Sequence, residues 1–349
     1  MEVLRYAAFK EESEFGWPGD MNPIFAVDES AASLDTGKDV EVIYDGSLGR
    51  APRVHRPGFY SADGDIEYAF DIRSIGWFLK WALGGYAHTS SVGGFNLHEC
   101  YGTNDVVLPS FTSFLGKDKI DATHFEQLFL GCTISDLELD VSKDYATVKA
   151  SIVAKMDAPN PEGLRTRAEI EALLPTEHLL VFHNVTAHLG YNSISERVTN
   201  VKLDVKNDVK ADAGQCIGSR FPSRLPAGAR ETTFTMDMYF NTMDELNLFW
   251  GSPEGALAAV NGTTETSLTL TFTSEDDEGQ VDGTLDISLP RVILTKVPTP
   301  TKGKDEIKLN VEGQAFQDSV LLHDGTTSVY TDVLATLSNN QEAMVIEGS

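Results

Sequence analysis

The residues of this sequence that could perform chemistry are few, and their spacing is poor for it. His98, Glu99 and Cys100 are adjacent, but neighbouring residues on an extended chain point in opposite directions, although the sequence leaves open partners from distant segments. His183 and His188 are five residues apart on a strand or loop, which also points them apart, and no acidic residue offers a convincing third metal ligand. The sequence therefore predicts no catalytic residue, no metal site and no cofactor.

Nucleotide-binding and cysteine motifs are equally weak. Neither G-x-x-x-x-G-K-[ST] nor G-x-G-x-x-G occurs between a strand and a helix, so no phosphate-binding loop is predicted. The three cysteines, Cys100, Cys132 and Cys216, are widely separated and lack C-x-x-C spacing. They indicate neither a disulfide framework nor a zinc site, and we expect free thiols.

The charge balance limits the possible partners. Lys and Arg total 27 against 53 Asp and Glu, for a formal net charge of -26. This balance argues against a protein that binds nucleic acid by neutralising its phosphates. The acidity is compatible with solubility, with adaptation to high salt, or with repulsion of a polyanion. The N-terminus has no apolar stretch of signal-peptide length and no segment approaches a membrane span, so we expect maturation in a cytoplasm without membrane binding.

The elements that position these residues occur twice in the same order. Residues 64–85 and 228–252 each contain an alternating strand followed by a short apolar helix that Gly stops. About sixty residues later, residues 130–154 and 289–313 align without a gap as a second strand pair. Two copies are too few for a solenoid and indicate a module fused to itself.

In each repeat, alternation predicts a strand with one apolar and one polar face. The apolar positions are Ile66, Tyr68, Phe70, Ile72, Phe234, Met236 and Met238. The opposite face carries Asp65, Glu67, Ala69, Asp71, Glu231, Thr233, Thr235 and Asp237. The strand with Leu137 and Leu139 belongs either to the same sheet or to a layer behind it, and the sequence leaves both open.

These patterns predict a mainly β protein of two tandem modules. Each is a β-sandwich or half-barrel with a short flanking helix, at residues 74–83 in the first and 243–250 in the second. We expect an irregular N-terminal arm at residues 1–38, a first module at 39–157, a linker at 158–177, and a second module with a C-terminal extension at 178–349.

The few basic residues concentrate in two equivalent loops, at residues 45–58 and 211–227. The loops carry Arg50, Arg53 and Arg56 in the first and Arg220 and Arg224 in the second. They are either ordinary solvated loops or contacts to an acidic surface, and the acidic surface available is that of another copy. Repeated head to tail, such a contact builds a stack or filament rather than a closed dimer.

The order of parts resembles the tail tube proteins of long-tailed bacterial and archaeal viruses. The likeness spans nearly the whole chain and rests on the segments PGFYSADGDIEYAFDIRSIGWFLKWALGG, FLGCTISDLELDV, TVKASIVA, LGYNSISERVTNVKLDV, AGARETTFTMDM and TLDISLPRVILTKV. The resemblance implies modules that contribute sheets to a closed inner β-barrel, which conducts the genome. It also implies loops and arms that reach between stacked rings.

Most members of this family have one module and form hexameric rings, so two modules suggest a trimeric, pseudo-sixfold ring. On this hypothesis Asp65, Glu67, Asp71, Glu231 and Asp237 line the lumen and repel DNA phosphates, and the five arginines make contacts between subunits or rings. The implied partners are further copies of the chain, tape-measure, tail terminator and tail tip proteins, and double-stranded DNA as cargo in transit. The implied location is the virion tail, assembled in the host cytoplasm.

Two other classes remain open from sequence alone. Another ring-forming tail, baseplate, portal-adaptor or capsid component would form a single ring instead of an indefinite stack. A two-domain carbohydrate-type binding protein would expose a cluster of aromatic side chains. Trp77, Trp81 and Trp250 occur at helical, core-directed positions instead, and an enzyme is the least favoured class.

Overall fold

A computed structural model defines the fold of this chain. It describes residues 6–19, 21–27, 32–43, 54–92, 94–118, 124–142, 145–160, 165–174, 179–251, 263–275, 278–298 and 308–344. The fold is mainly β, with a large antiparallel sheet that is not closed into a barrel and three short helices in the described residues. This confirms the predicted fold class of β-rich layers with flanking helices.

The first half of the chain contains ten strands and two helices. They are β1 (Tyr6–Glu11), β2 (Phe25–Val27), β3 (Ser33–Ile43), β4 (Val54–Ala69), α1 (Ser74–Leu83), β5 (Gly84–Val92), β6 (Phe95–Gly102), β7 (Phe111–Asp118), β8 (His124–Val141), β9 (Ala146–Ala154), β10 (Met156–Pro159) and α2 (Arg167–Glu171).

The second half contains the remaining ten strands and one helix. They are β11 (Val185–Leu189), β12 (Asn192–Ser193), β13 (Val198–Lys206), β14 (Glu231–Tyr239), α3 (Asp244–Phe249), β15 (Thr266–Glu275), β16 (Val281–Lys296), β17 (Lys308–Phe316), β18 (Asp318–Leu321), β19 (Ser328–Thr331) and β20 (Leu334–Asn339).

Eight strands form one continuous antiparallel series, which we call the central sheet. Its order is β3-β4-β9-β8-β13-β14-β17-β16, with β8 and β16 contributing their C-terminal halves. The N-terminal halves of β8 and β16 continue into a second layer with the remaining strands, except the separate β18–β19 hairpin. Apolar side chains from both layers and from α1 belong to one core cluster. The central sheet is therefore covered on one face and bare on the other.

Alternating side chains explain why the central strands form this sheet. Buried and partly exposed residues alternate along the whole of β9, β14 and β17, as a strand with one covered face requires. Every residue of α1 is buried, and the Trp81 ring stacks on Phe111 at 4.2 Å between centroids. The helix is thus held between the layers by aromatic packing.

Strand pairing in the two halves matches element by element. The pairs β1–β2, β1–β7, β7–β8, β3–β4, β4–β9, β8–β9 and β8–β10 correspond to β11–β12, β11–β15, β15–β16, β13–β14, β14–β17, β16–β17 and β16–β20. Register shifts recur at corresponding places. The shift between β7 and β8 at Cys132 matches the shift between β15 and β16 at Val292. The shift between β8 and β9 at Ile134 matches the shift between β16 and β17 at Leu294. The repeat seen in the sequence therefore has a counterpart in hydrogen bonding.

Two differences from the sequence reading concern the N-terminal residues and the alignment of the repeat. Residues 1–38 were expected to be an irregular arm, but β1, β2 and the start of β3 lie there and β1 pairs with β7 in the second layer. The ungapped alignment of residues 130–154 with 289–313 is also out of register. It matches Ile134 with Ile293, whereas the strand pairings match Ile134 with Leu294. Short strands with distant partners and β-bulges leave little local signal.

Candidate functional site

The bare side of the central sheet, which we call the polar face, is rich in charge. Alternation and cross-strand register place one set of side chains on it, opposite the buried apolar set. Its acidic members are Asp35, Asp63, Asp65, Glu67, Asp136, Glu138, Asp140, Asp204, Glu231, Asp237 and Glu312. Its basic members are Lys149, Lys202, Lys206, Lys296 and Lys308. Acidic groups therefore outnumber basic ones on the described part of this face.

Four of the five residues proposed for the lumen lie on the polar face. Glu67 and Glu231 are exposed, and Asp65 and Asp237 are half-buried. Ser151 Oγ donates to Asp65 Oδ1 at 2.6 Å, and this hydrogen bond lowers the pKa of Asp65 despite partial burial. Asn310 Nδ2 donates to Asp237 Oδ1 at 2.8 Å. These four carboxylates share one surface across two distant parts of the sequence.

Three lysines of the polar face lie beside carboxylates. Lys149 Nζ lies 3.0 Å from Asp65, Lys202 Nζ 2.7 Å from Glu138, and Lys206 Nζ 2.8 Å from Asp204. Exposed pairs of this kind contribute little to stability. Their main consequence is that these three lysines do not present isolated positive charge to a passing polyanion.

Two carboxyl groups meet where the two halves of the central sheet join. Partial burial and a hydrogen bond with Asp204 raise the pKa of Asp136 to about 7. Partial burial opposes ionisation of Asp204 too, but hydrogen bonds from Asp136 and Lys206 lower its pKa overall. Asp136 therefore holds the proton and Asp204 the charge.

Asp71 does not belong to the polar face, which corrects the sequence interpretation. Strand β4 ends at Ala69, and Asp71 is only 3 % exposed. Its carboxylate accepts from the backbone N–H groups of Arg73 and Ser74 at 2.7 and 2.8 Å and from the Ser74 hydroxyl at 2.6 Å. It stabilises the start of α1, a common role for Asp at a helix N-terminus.

The sequence reading missed seven acidic residues of the polar face. They are Asp35 on β3, Asp63 on β4, Asp136, Glu138 and Asp140 on β8, Asp204 on β13 and Glu312 on β17. The alternation of the β8 residues with Leu137 and Leu139 was visible, but the sequence left open which layer β8 joins. Pairing of β8 with β9 and β13 places it in the central sheet.

The two arginine-bearing loops lie at the same end of the central sheet. Strands β4 and β14 run in the same direction, because four antiparallel steps separate them in the central sheet. The β3–β4 and β13–β14 connections, which precede these strands, therefore lie at the same end of the sheet. We call this end the upper rim. Arg56 and Arg224 are exposed there, and Arg56 lies within β4 rather than in the predicted loop, because the strand begins at Val54. Arg220 joins the second loop to β4, with Nε donating to Gly58 O at 2.9 Å. Arg50 and Arg53 lie outside the described residues.

The central sheet has two open edges. Within the described residues, β3 pairs only with β4, and β16 beyond Val292 pairs only with β17. Within the central sheet the two halves are joined by β8 and β13, and this junction has no counterpart among the described pairings. Because β16 corresponds to β8 and β13 corresponds to β3, the counterpart of this junction would pair β16 with a β3 strand.

Comparison with known proteins agrees with this geometry. A protein-family model described as phage tail tube protein matches residues 5–315. The chain belongs to the phage tail tube protein family. No curated protein matched it. Membership gives this tail tube protein a structural role in the virion tail, where such proteins assemble with other tail proteins into a tube.

The match reaches into both halves of the chain. Residues 5–315 run from β1 of the first half to β17 of the second. No helix in the described residues of the tail tube protein is long and apolar enough to span a membrane.

Proposed function

We propose that the protein polymerises into stacked rings that form the hollow tail tube through which viral DNA passes during ejection. The observation that supports this most directly is the unmatched β8–β13 junction. It joins one half of the chain to the next through an antiparallel strand pair, and the same pair of edges is left open at β16 and β3. Repeating the contact between copies extends the sheet around a ring.

The ring we propose contains three chains and has pseudo-sixfold symmetry. Each half of the chain acts as one module, the first ending after β10 and the second beginning before β11, so three copies supply six modules. The contact is heterologous, and a heterologous contact gives a closed ring when its rotation closes. Closure also removes both open edges, which are otherwise sites for uncontrolled pairing.

The polar face lines the lumen in this arrangement. Its apolar opposite face is already covered by the second layer, so the bare face is the one available to the channel. Excess carboxylates repel DNA phosphates over a distance of about 8–10 Å at physiological salt, and the paired lysines offer few isolated contacts. DNA is then cargo in transit rather than a bound ligand.

Stacking involves the upper rim and its arginines. Arg56 at the start of β4 and Arg224 in the β13–β14 connection are exposed, and Arg220 joins that connection to β4. Arg50 and Arg53 belong to the β3–β4 connection. We assign them to contacts with the acidic lower surface of the next ring, where Glu196 and Asp244 are exposed. Tape-measure, terminator and tip proteins complete the assembly, and no catalytic role is proposed.

Electron microscopy of the purified protein at low and high salt tests the proposal. Hollow tubes or rings whose averaged end views show six lobes with threefold modulation are expected. A ring of six whole chains would contradict the trimer, and isolated rings that never stack would favour another tail or baseplate component. A binding protein of the carbohydrate type would remain monomeric, and it is disfavoured by Trp77 and Trp81, which are 3 % and 0 % exposed.

A further inference from the structure

An open cavity of about 570 Å³ lies beside Pro290 and Arg291 of β16, just before the open edge of this strand begins. Apolar and polar residues both line it, among them Leu189, Tyr191, Leu248, Thr264, Asp244 and Glu265. Tyr191 is fully exposed at the tip of the β11–β12 turn. A recess that carries an exposed aromatic side chain next to an open sheet edge indicates a contact surface.

The corresponding place in the first half of the chain is filled. The shared register shifts that match Cys132 to Val292 also match Gly131 to Arg291. Gly131 donates its N–H to Glu12 Oε1 at 2.8 Å, and a Cβ on it would lie 2.9 Å from the Phe15 ring. The β1–β2 connection that carries Glu12 and Phe15 therefore covers this position.

The described part of the second half has no such cover. Its β11–β12 connection is the tight turn at Gly190 and Tyr191, where Gly190 has a φ of 60°. No described segment of the chain lies over Arg291 as Phe15 lies over Gly131. The cavity is thus the space that a longer connection occupies in the first half.

The filled site also receives residues from the other half of the chain. Asn207, which follows β13, is 2 % exposed. Its Nδ2 donates to Ala82 O near the end of α1 at 2.9 Å and to Ile134 O on β8 at 3.2 Å. Val209 and Leu225 from the β13–β14 connection pack with Phe15. The hairpin that follows β13 therefore docks at the end of α1.

The register of the strand pairs identifies the residue of the next copy that would dock at the end of α3, as Asn207 docks at the end of α1. Ser151 corresponds to Glu312, and these pair with Asp65 and Thr235 respectively. Asp65 and Thr235 pair in turn with Ser33 and Lys202. Ser33 on β3 therefore corresponds to Lys202 on β13. Lys38 and Asn207 follow these two residues at the same spacing, so Lys38 corresponds to Asn207. Lys38 is exposed within one chain.

The helix ends correspond as well. Gly84 after α1 has a φ of 87° and Gly251 after α3 a φ of 80°, so Ala82 corresponds to Phe249. Phe249 is 40 % exposed, whereas its counterpart Ala82 is fully buried. The end of α3 is therefore exposed at Phe249, whereas Asn207 covers the end of α1 at Ala82.

We propose that the cavity beside Arg291 is the socket for the β3–β4 hairpin of the next copy in the ring, with Lys38 entering at the end of α3 as Asn207 does at the end of α1. The ammonium group of Lys38 donates to main-chain carbonyls of the last turn of α3, which a lysine side chain satisfies well. This inference rests on the proposed ring and names the surfaces that close it.

Cross-linking tests the socket directly. In a Cys216→Ser background, which leaves the two buried cysteines, Lys38→Cys combined with Leu248→Cys is expected to give disulfide-linked dimers and trimers on oxidation. Lys38→Cys combined with Tyr330→Cys, on the β19 strand, is the matched control and should remain monomeric. Rings without the 38–248 cross-link would overturn the socket but not the ring. Cross-linked copies that never close into rings would retain the socket and overturn the ring, and neither species would overturn both.

A second pair of variants separates docking from folding. Thr264→Trp fills the socket from its loop side, and Thr326→Trp places the same side chain at the β18–β19 tip. We expect Thr264→Trp to weaken self-association by about tenfold or more, as loss of one good interfacial contact does, with unchanged thermal unfolding of the monomer. Equal assembly of both variants would contradict the proposal.

Discussion

Asp136 and Asp204 form a hydrogen-bonded carboxyl pair across the β8–β13 junction, which links the two halves of the chain within the central sheet. The folded protein holds the proton on Asp136 more tightly than the unfolded chain does, because the pKa of Asp136 is raised from 3.8 to about 7. Proton binding therefore stabilises the junction at low pH. That contribution is lost as pH rises from about 4 to about 7.

Replacement of Asp136 by Asn should stabilise the chain at pH 8. The amide donates to Asp204 without needing a proton, so the penalty of ionising the pair disappears. The side chain is half-buried, and solvent screening limits the expected gain to about 1 kcal/mol. Urea unfolding from pH 5 to 8 measures it. Asp63→Asn, on the same face but outside the pair, is the control, and an equal gain in both variants would refute the explanation.

Removal of the Asp71 carboxylate should destabilise the fold rather than alter a lumen. Asp71→Ala leaves the N–H groups of Arg73 and Ser74 without their acceptor, at an expected loss of about 2 kcal/mol. Asp71→Asn keeps an oxygen acceptor and should recover about half. Thermal unfolding measures both, with Glu67→Ala as a surface control. A normal melting temperature for Asp71→Ala would show that the helix start does not depend on this residue.

The contrast between Asp71 and Asp65 shows how far the sequence could predict this fold. Alternation correctly placed Asp65 and Glu67 opposite Ile66 and Tyr68, and α1 occupies the expected residues. The same alternation failed at Asp71, because β4 ends at Ala69 and nothing in the pattern marks that end. Periodicity specifies a face only while the strand continues.

Other features depended on contacts that are distant in sequence. β1 is buried on both faces, so it lacks alternation, and its partner β7 begins a hundred residues later. The membership of β8 in the central sheet depends on pairing with β13. The open edges of β3 and β16 became visible only when the matching halves were compared, because an unpaired edge leaves no local signal.

Acid should release the C-terminal segment through His98. His98 is buried, with Nδ1 2.9 Å from Tyr86 Oη and Nε2 3.2 Å from Gln341 O. Met344 N–H donates to Tyr86 Oη at 2.8 Å, so Tyr86 donates to His98, which must stay neutral. Burial and nearby His88 lower the pKa of His98 from 6.5 to about 4.

The sign of this dependence follows from the lowered pKa. Between pH 6.5 and 4 the unfolded chain binds a proton that the folded chain refuses, so stability is complete above this window and falls within it, by about 2 kcal/mol. Hydrogen exchange of residues 341–344 should rise over the same range. His98→Gln should flatten the profile, whereas His55→Gln, on an exposed site, should not. An unchanged profile in His98→Gln would assign the acid sensitivity elsewhere.

Neutralising the polar face should convert the tube from a conduit into a DNA-binding surface. Asp65→Asn, Glu67→Gln and Asp237→Asn together remove three carboxylates per chain and leave Lys149 without its partner. Lysines freed in this way attract phosphates, and such binding weakens steeply with salt. We expect assembled tubes of the triple variant to retain short double-stranded DNA in sedimentation at low salt and to release it at high salt.

Glu275→Gln, Asp282→Asn and Asp286→Asn remove the same charge from the far side of the second layer, where β15 and β16 turn their polar side chains away from the core. If this control retained DNA equally, net charge alone would explain the effect, and the polar face would lose its assignment to the lumen.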